Sequence, residues 1–279
     1  MKLTVEQGRT AFLDDVEISE YGFQLESGHE NPLLVNGTDI VTTIPGRAGQ
    51  LFLDDTPGPI PFTLTTFTIQ DNPFELQQKV RILKKLFTDS RGKKKYVKLR
   101  WAYEPDRFYF VRYNSDVPFE RIFGKSGRAS IPLICDDGFA QSVVKNDEVT
   151  WGSEVLTFAS TAYTFGHTGS GVAAFLAPGT TSVEVVGDNV RPMVIVSGFG
   201  TNVTISWGGK TMTLGTFPES NWAIDLKEYV ATKDGLNALD DIGGDWLTME
   251  LEPGTNVISV GGSGLDLEIA FVYSDIWFG

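Results

Sequence analysis

A single stretch of this chain carries a helical period, and the apolar residues elsewhere recur on alternate positions, so the sequence is committed to a mainly β fold with one helix. The helix is expected to begin at Asn72-Pro73-Phe74-Glu75. Asn72 can accept from a free backbone amide, Pro73 suits the first helical position and Glu75 stands three residues after the cap. Leu76, Val80, Leu83 and Phe87 follow at helical spacing, with Gln77, Arg81, Lys84 and Lys85 on the other side. The apolar stripe should therefore lie on a sheet, and the helix should end near Asp89, before Ser90-Arg91-Gly92.

Ahead of the helix, Asp39 to Thr43 and Ile60 to Gln70 are rich in Val, Ile, Thr and Phe, as strands are. Asn36-Gly37 is a hairpin dipeptide, while Pro45-Gly46-Arg47-Ala48-Gly49 and Thr56-Pro57-Gly58-Pro59 interrupt any regular element. This region reads as a β-layer with long excursions. After the helix, Arg91-Gly92-Lys93-Lys94-Lys95 cannot bury itself and makes a loop or hairpin tip. Strands are expected over Tyr96 to Ala102, Arg107 to Tyr113 and Ala129 to Ile134.

Residues 136–150 are polar, with Asp136, Asp137, Gly138, Asn146, Asp147 and Glu148, and read as a hinge. Beyond them, Val183 and Val185, then Val203, Ile205 and Trp207, then Leu265, Leu267, Ile269, Phe271 and Tyr273 each define one buried face. Turn signals at Gly208-Gly209 and Glu252-Pro253-Gly254 separate these runs, as in an antiparallel β-sandwich. A length of 279 residues exceeds what one core usually supports, and 30 Gly, 13 Pro and 19 Phe suit many turns and strands. We divide the chain into a β-rich domain with one helix at 1–140 and a β-sandwich at 141–279.

The net charge of −13 hides a segregation. Residues 79–128 hold 15 of the 23 Lys and Arg and only 5 acids, whereas both flanking regions are acidic. These charges either neutralise one another within the monomer and face water, or pair across copies in an assembly, with Arg91, Lys93, Lys94 and Lys95 as candidate contacts. Sequence-specific nucleic-acid binding fits poorly, because the remaining acidic surface repels phosphates.

No catalytic constellation stands out. The acidic pairs Asp14-Asp15, Asp54-Asp55 and Asp240-Asp241 read as solvated turns, and with 36 acids a carboxylate pair alone discriminates nothing. Gly169-Ser170-Gly171 and Gly262-Ser263-Gly264 have the wrong spacing for a nucleophile elbow and read as turns. Cys135 has no cysteine to pair with and is expected to be buried and inert, and with only His29 and His167 the chain lacks the ligands of a zinc or iron-sulfur site. No metal or cofactor is expected. Trp151, Trp207, Trp222, Trp246 and Trp277 are assigned to core or interface packing, although they could offer stacking faces to sugars. No apolar run is long enough for a membrane helix, and the opening Met1-Lys2-Leu3-Thr4-Val5-Glu6 lacks the apolar core of a signal peptide, so folding in a cytoplasm is expected.

Several weak patterns, in order, resemble the distal tail protein (Dit) family of siphophages. They are Ile44 to Gly49, the helix after Asn72-Pro73, Pro105-Asp106-Arg107-Phe108-Tyr109, and Ile131 to Ala140. Arg191 to Gly198, Leu251 to Ile258 and Ala270 to Trp277 continue the resemblance through the second half. It implies a first domain that forms a six-membered ring continuing the tail tube, and a galectin-like or carbohydrate-module-like sandwich facing outward. The implied role is a non-enzymatic homohexameric hub at the virion tail tip. Its implied partners are the tail tube protein, a tail-associated fibre or lysin protein and, in some phages, receptor-binding proteins. The chain has no room for the inserted domain by which enlarged members bind host saccharide. The main rival reading is a lectin-like tail protein that contacts host saccharide directly.

Overall fold

The computed structural model describes residues 10–26, 32, 35, 37–148 and 172–278. The chain divides into two compact units, Met1–Gln141 with Phe278–Gly279, and Ser142–Trp277. Each is mainly antiparallel β structure.

The first unit contains β1 (Ala11–Leu13), β2 (Val16–Glu17), β3 (Gln24–Leu25), β4 (Thr38–Thr42), β5 (Leu51–Thr56), β6 (Ile60–Ile69), α1 (Pro73–Leu86), β7 (Val97–Trp101), β8 (Arg107–Tyr113), β9 (Phe119–Phe123), β10 (Ser126–Cys135) and β11 (Phe139–Ser142). Its main sheet runs β2-β1-β7-β8-β10-β6-β3, with β9 on β10 and β11 on β8. The central ladder pairs β6 with β10 along the whole length of both, from Ile60↔Cys135 to Ile69↔Ser126. On β6 the inward positions are Ile60, Phe62, Leu64, Thr66 and Thr68. The two buried threonines are satisfied, Thr66 donating to the Ala129 carbonyl at 3.2 Å and Thr68 to the Gly22 carbonyl at 2.6 Å. Phe62 meets the Tyr109 ring edge-on at 4.8 Å in a core shared with Leu99, Trp101, Val111 and Ile131.

Helix α1 begins as its sequence dictates: the Asn72 side chain accepts from the amides of Phe74 and Glu75, and donates to the Glu75 carboxylate at 2.9 Å. Leu76, Leu83 and Phe87 are buried, Val80 half-buried. The helix stops at Leu86, earlier than the apolar period suggested, because Asp89 organises a turn of its own. Its carboxylate accepts from the amides of Arg91 and Lys93, each at 2.8 Å.

Two short strands, β1 and β2, escaped the sequence reading. Asp14 and Asp15 join them in a two-residue turn with φ of 50° and 65°, the left-handed pair that hairpin turns require. Strand β9 was also missed, since most of it faces solvent; it is read best from Gly127 opposite, where a Cβ would sit 2.3 Å from the Phe119 ring.

The second unit holds β12 (Val172–Phe175), β13 (Gly179–Val185), β14 (Met193–Trp207), β15 (Lys210–Asp225), β16 (Val230–Lys233), β17 (Leu236–Asn237), β18 (Gly243–Gly244) and β19 (Gly254–Val272), and a last short strand, β20 (Ile276–Phe278), closes the described chain. One sheet runs β12-β19-β14-β15-β16-β17, with β13 on β19 and β18 on β15. Its three longest strands bend. On β14 the buried positions are Val194 and Val196, then Val203, Ile205 and Trp207; on β19 they are Ile258 and Val260, then Leu265, Leu267, Ile269 and Phe271. In each strand the parity switches midway, across bulges at Gly198 to Thr204 and opposite them at Gly261 to Asp266. Both halves of each strand feed one apolar cluster, so the sheet folds over into two layers, the expected sandwich. Gly262 and Gly264, with φ of 138° and 57°, lie in this mid-strand bend, so Gly262-Ser263-Gly264 is a bulge within β19 and not the turn anticipated.

The polar stretch after Gln141 is tied into this unit. Asn146 is buried, donating to the Phe271 carbonyl at 2.6 Å and accepting from the Tyr273 amide at 2.9 Å. Asp275 accepts from the amides of Val186 and Gly187 at 2.9 and 3.3 Å.

Candidate assembly surfaces

The structure separates the basic band into cations with partners inside the first unit and cations with none among the described residues. Strand β7 alternates, so Leu99 and Trp101 point into the core while Lys98 and Arg100 stand on the other face. There they meet the Asp14-Asp15 turn: Lys98 and Arg100 each lie 3.9 Å from Asp15, and Lys95 lies 3.2 Å from Asp14. Asp14 also accepts from the Lys98 amide at 3.0 Å, so it is a structural acceptor in addition to a turn residue. Arg128 reaches Glu120 at 3.0 Å.

The firmest clasp is Arg112 on Asp136. It is bidentate, Nε to Oδ2 at 2.5 Å and Nη2 to Oδ1 at 2.7 Å, and the Tyr96 hydroxyl donates to the same carboxylate at 2.6 Å. These donors, the guanidinium first, hold the Asp136 carboxyl below its usual range.

The four residues singled out between Arg91 and Lys95 therefore divide. Lys95 pairs with Asp14, and Lys94 lies 4.7 Å over the Tyr113 ring. Arg91 and Lys93 are exposed and make no ion pair among the described residues. Beside them in the sequence, the outer face of α1 carries Arg81, Lys84 and Lys85, likewise exposed and unpaired among the described residues. Arg121 on β9 joins this face by donating to the Gln77 side chain. Phe74, 82% exposed, stands at the N-terminal end of α1.

A second surface is the β4–β5 hairpin. It forms a two-stranded sheet of its own, and every residue of both strands is exposed. Ile40, Val41, Leu51, Phe52 and Leu53 are among them, with Phe52 and Leu53 each 57% exposed. Asp39 and Asp55 are directly opposed across the ladder and share a face, and Asp54 faces Ile40. Asp54 and Asp55 thus lie in a strand and not in the solvated turn expected. The sequence signal for this surface was present in the apolar strands and the Asp pair, but nothing local told that no core would receive them.

Trp207, Trp222 and Trp246 are buried, and Trp207 donates to the Glu250 carbonyl at 2.9 Å. Trp277 is half-buried, and Trp151 lies outside the described residues, as do His29, His167, Asn36 and Gly169-Ser170-Gly171. Cys135 is fully buried, and burial pushes its thiol pKa up, away from the nucleophilic thiolate.

Residues 16–135 match the family model of the phage tail protein RIFT-related domain. Along nearly its whole length the chain has the fold of the Dit protein (gp 19.1) of phage SPP1, described as a paradigm of the hub adsorption apparatus of phages infecting Gram-positive bacteria. The two are 14% identical over 95% of this chain and 98% of that one, with a TM-score of 0.65. A chain of the phage P2 baseplate in its activated conformation with Ca also matches, at 10% identity over 92% of each chain and a TM-score of 0.42. No curated protein matches the sequence. The first unit thus carries a phage tail RIFT-related domain, and the chain as a whole shares the fold of the SPP1 protein.

Proposed function

We propose that this protein is a structural hub that closes into a homohexameric ring at the end of the tail tube and joins the tube to the adsorption proteins beyond it. The β4–β5 hairpin carries this reading. A lone two-stranded hairpin is marginal in water, and this one exposes five large apolar side chains that its own unit does not cover. A ring of heterologous contacts supplies a cover, since each copy presents one face to its neighbour's different face. A structural role also fits the inert setting of Cys135 and the engagement of Asp14 and Asp136 in backbone and guanidinium contacts. A saccharide-binding role draws no support from Trp207, Trp222 and Trp246, which have no free face.

Light scattering of the purified full-length protein, with negative-stain electron microscopy of the same sample, tests the reading. Particles of six copies with a central channel are expected. A monomer at every concentration, together with binding in a glycan screen, would replace the hub with the lectin-like alternative.

A further inference from the structure

Two surfaces of the first unit are each incomplete, and in complementary ways. The hairpin sets Asp39 directly across from Asp55, with Asp54 on the adjacent position of β5. Like charges facing one another on a ladder destabilise it, and none of the three carboxylates has a cationic partner among the described residues. The hairpin's single cation, Arg47, belongs to its tip and not to this end. The outer face of α1 has the opposite defect. Arg81, Lys84 and Lys85 repeat at the three- and four-residue spacing that puts them side by side, Arg121 is tethered beside them through Gln77, and Glu75 is the single acid of the helix, already engaged by Asn72. Each surface also carries exposed apolar side chains: Ile40, Val41, Phe52 and Leu53 on the hairpin, Phe74 and Ile82 on the helix.

We infer that the β4–β5 hairpin of one copy docks on the outer face of helix α1 of the next, with Asp39 and Asp55, which share one face of the ladder, set against Arg81, Lys84, Lys85 and Arg121. The inference rests on the ring reading and specifies the two faces that close it. The occupant is a second copy because the charges are complementary within one sequence, and because the two surfaces are different patches, as head-to-tail closure demands. Docking brings cations to the opposed carboxylates and covers Val41 and Phe52, which share their face, in one step. It also gives the basic band its role: the paired cations of β7 and β8 serve the monomer, and the cations of α1 serve the neighbour.

The test is a charge-reversal exchange in the full-length chain. One variant carries Asp39→Lys and Asp55→Lys; the other carries Arg81→Glu, Lys84→Glu and Lys85→Glu. All the changed side chains are exposed, so circular dichroism and thermal melting should show both variants folded. Each alone should need on the order of tenfold or more protein to assemble, because like charges then meet at every interface. An equimolar mixture of the two should regain assembly, since a reversed hairpin fits a reversed helix and the unreversed faces fit each other, giving rings of alternating copies. Rings from both variants alone, alongside rings from the wild type, would overturn this pairing and leave the ring reading intact. Loss of assembly that mixing does not restore would also overturn it, directing each surface to a different partner such as a neighbouring tail protein. A wild type that never assembles would remove the ring reading and this inference together.

Discussion

Strands β14–β15 and β4–β5 are both antiparallel hairpins built from β-branched and apolar residues, yet one is the heart of a core and the other touches none. In β14–β15 a two-residue Gly208-Gly209 turn, both residues at positive φ, sets the register, and Val203, Ile205, Trp207, Met212 and Leu214 all bury the same side. In β4–β5 a longer connection joins strands whose register shifts between Ile40 and Val41, and no side is buried. The lesson is that alternation specifies a strand and a face, while what covers that face is a property of the rest of the molecule or of its neighbours. Mutations that treat the two hairpins alike should therefore give opposite results.

The largest effect should come from Trp222→Ala on β15. Trp222 is 1% exposed and packs edge-to-face on Phe217 at 5.5 Å, so truncation leaves a cavity in the sandwich core. A loss of about 3–5 kcal/mol is expected from urea unfolding of the second unit. An effect near zero would show that β14–β15 is no better covered than β4–β5 and would dissolve the contrast.

Next comes Gly198→Ala, at the bend that lets β14 serve both layers. Its φ is 119°, and a Cβ would sit 1.9 Å from the Asp266 carbonyl oxygen. Backbone must move, at a cost of about 1–3 kcal/mol. The same exchange at Gly46, at the hairpin tip, meets nothing within 4 Å although φ is 83°, so only the backbone preference is lost, about 1 kcal/mol. Melting curves of the pair would separate close packing from conformational preference.

How much of this was legible follows from where each signal lives. The helix start is local chemistry among Asn72, Pro73 and Glu75, and it appears as read. The sandwich faces from Val183 to Tyr273 are two-residue periodicities and appear likewise, while the parity switches in β14 and β19 mark the bulges and were visible only as glycine. Partners distant in sequence were not legible. Nothing near Asp14 announces Lys95 and Lys98, and nothing near Asp136 announces Arg112 and Tyr96. The basic band therefore looked uniform in sequence, and only the fold sorts it into cations paired within the unit and cations unpaired among the described residues.

A smaller effect should follow from Asp136→Asn, which opens the clasp to Arg112 while keeping the side chain's shape. The folded-state pKa of Asp136 lies below its unfolded value, so the carboxylate's contribution is complete above the unfolded pKa and is lost as pH falls through the folded one. The melting temperature of the variant should lie below that of the wild type at neutral pH, and the gap should close in acid, below about pH 4. A gap that persists unchanged into acid would assign the difference to packing and not to the ion pair.

The smallest effect on the monomer, and the most informative, is expected from Phe52→Ser with Leu53→Ser. Both side chains are more than half exposed, so unfolding measured at concentrations below assembly should move by no more than about 0.5 kcal/mol. Assembly should nevertheless weaken, because the apolar area that the neighbour covers has gone. Had the same two substitutions been made at Val203 and Ile205, in the matching layer of β14, the order would reverse: the fold would fail first. If the hairpin substitutions instead destabilise the isolated monomer as core truncations do, the exposed side of β4–β5 is covered within the copy itself, and the argument that it awaits a neighbour loses its footing.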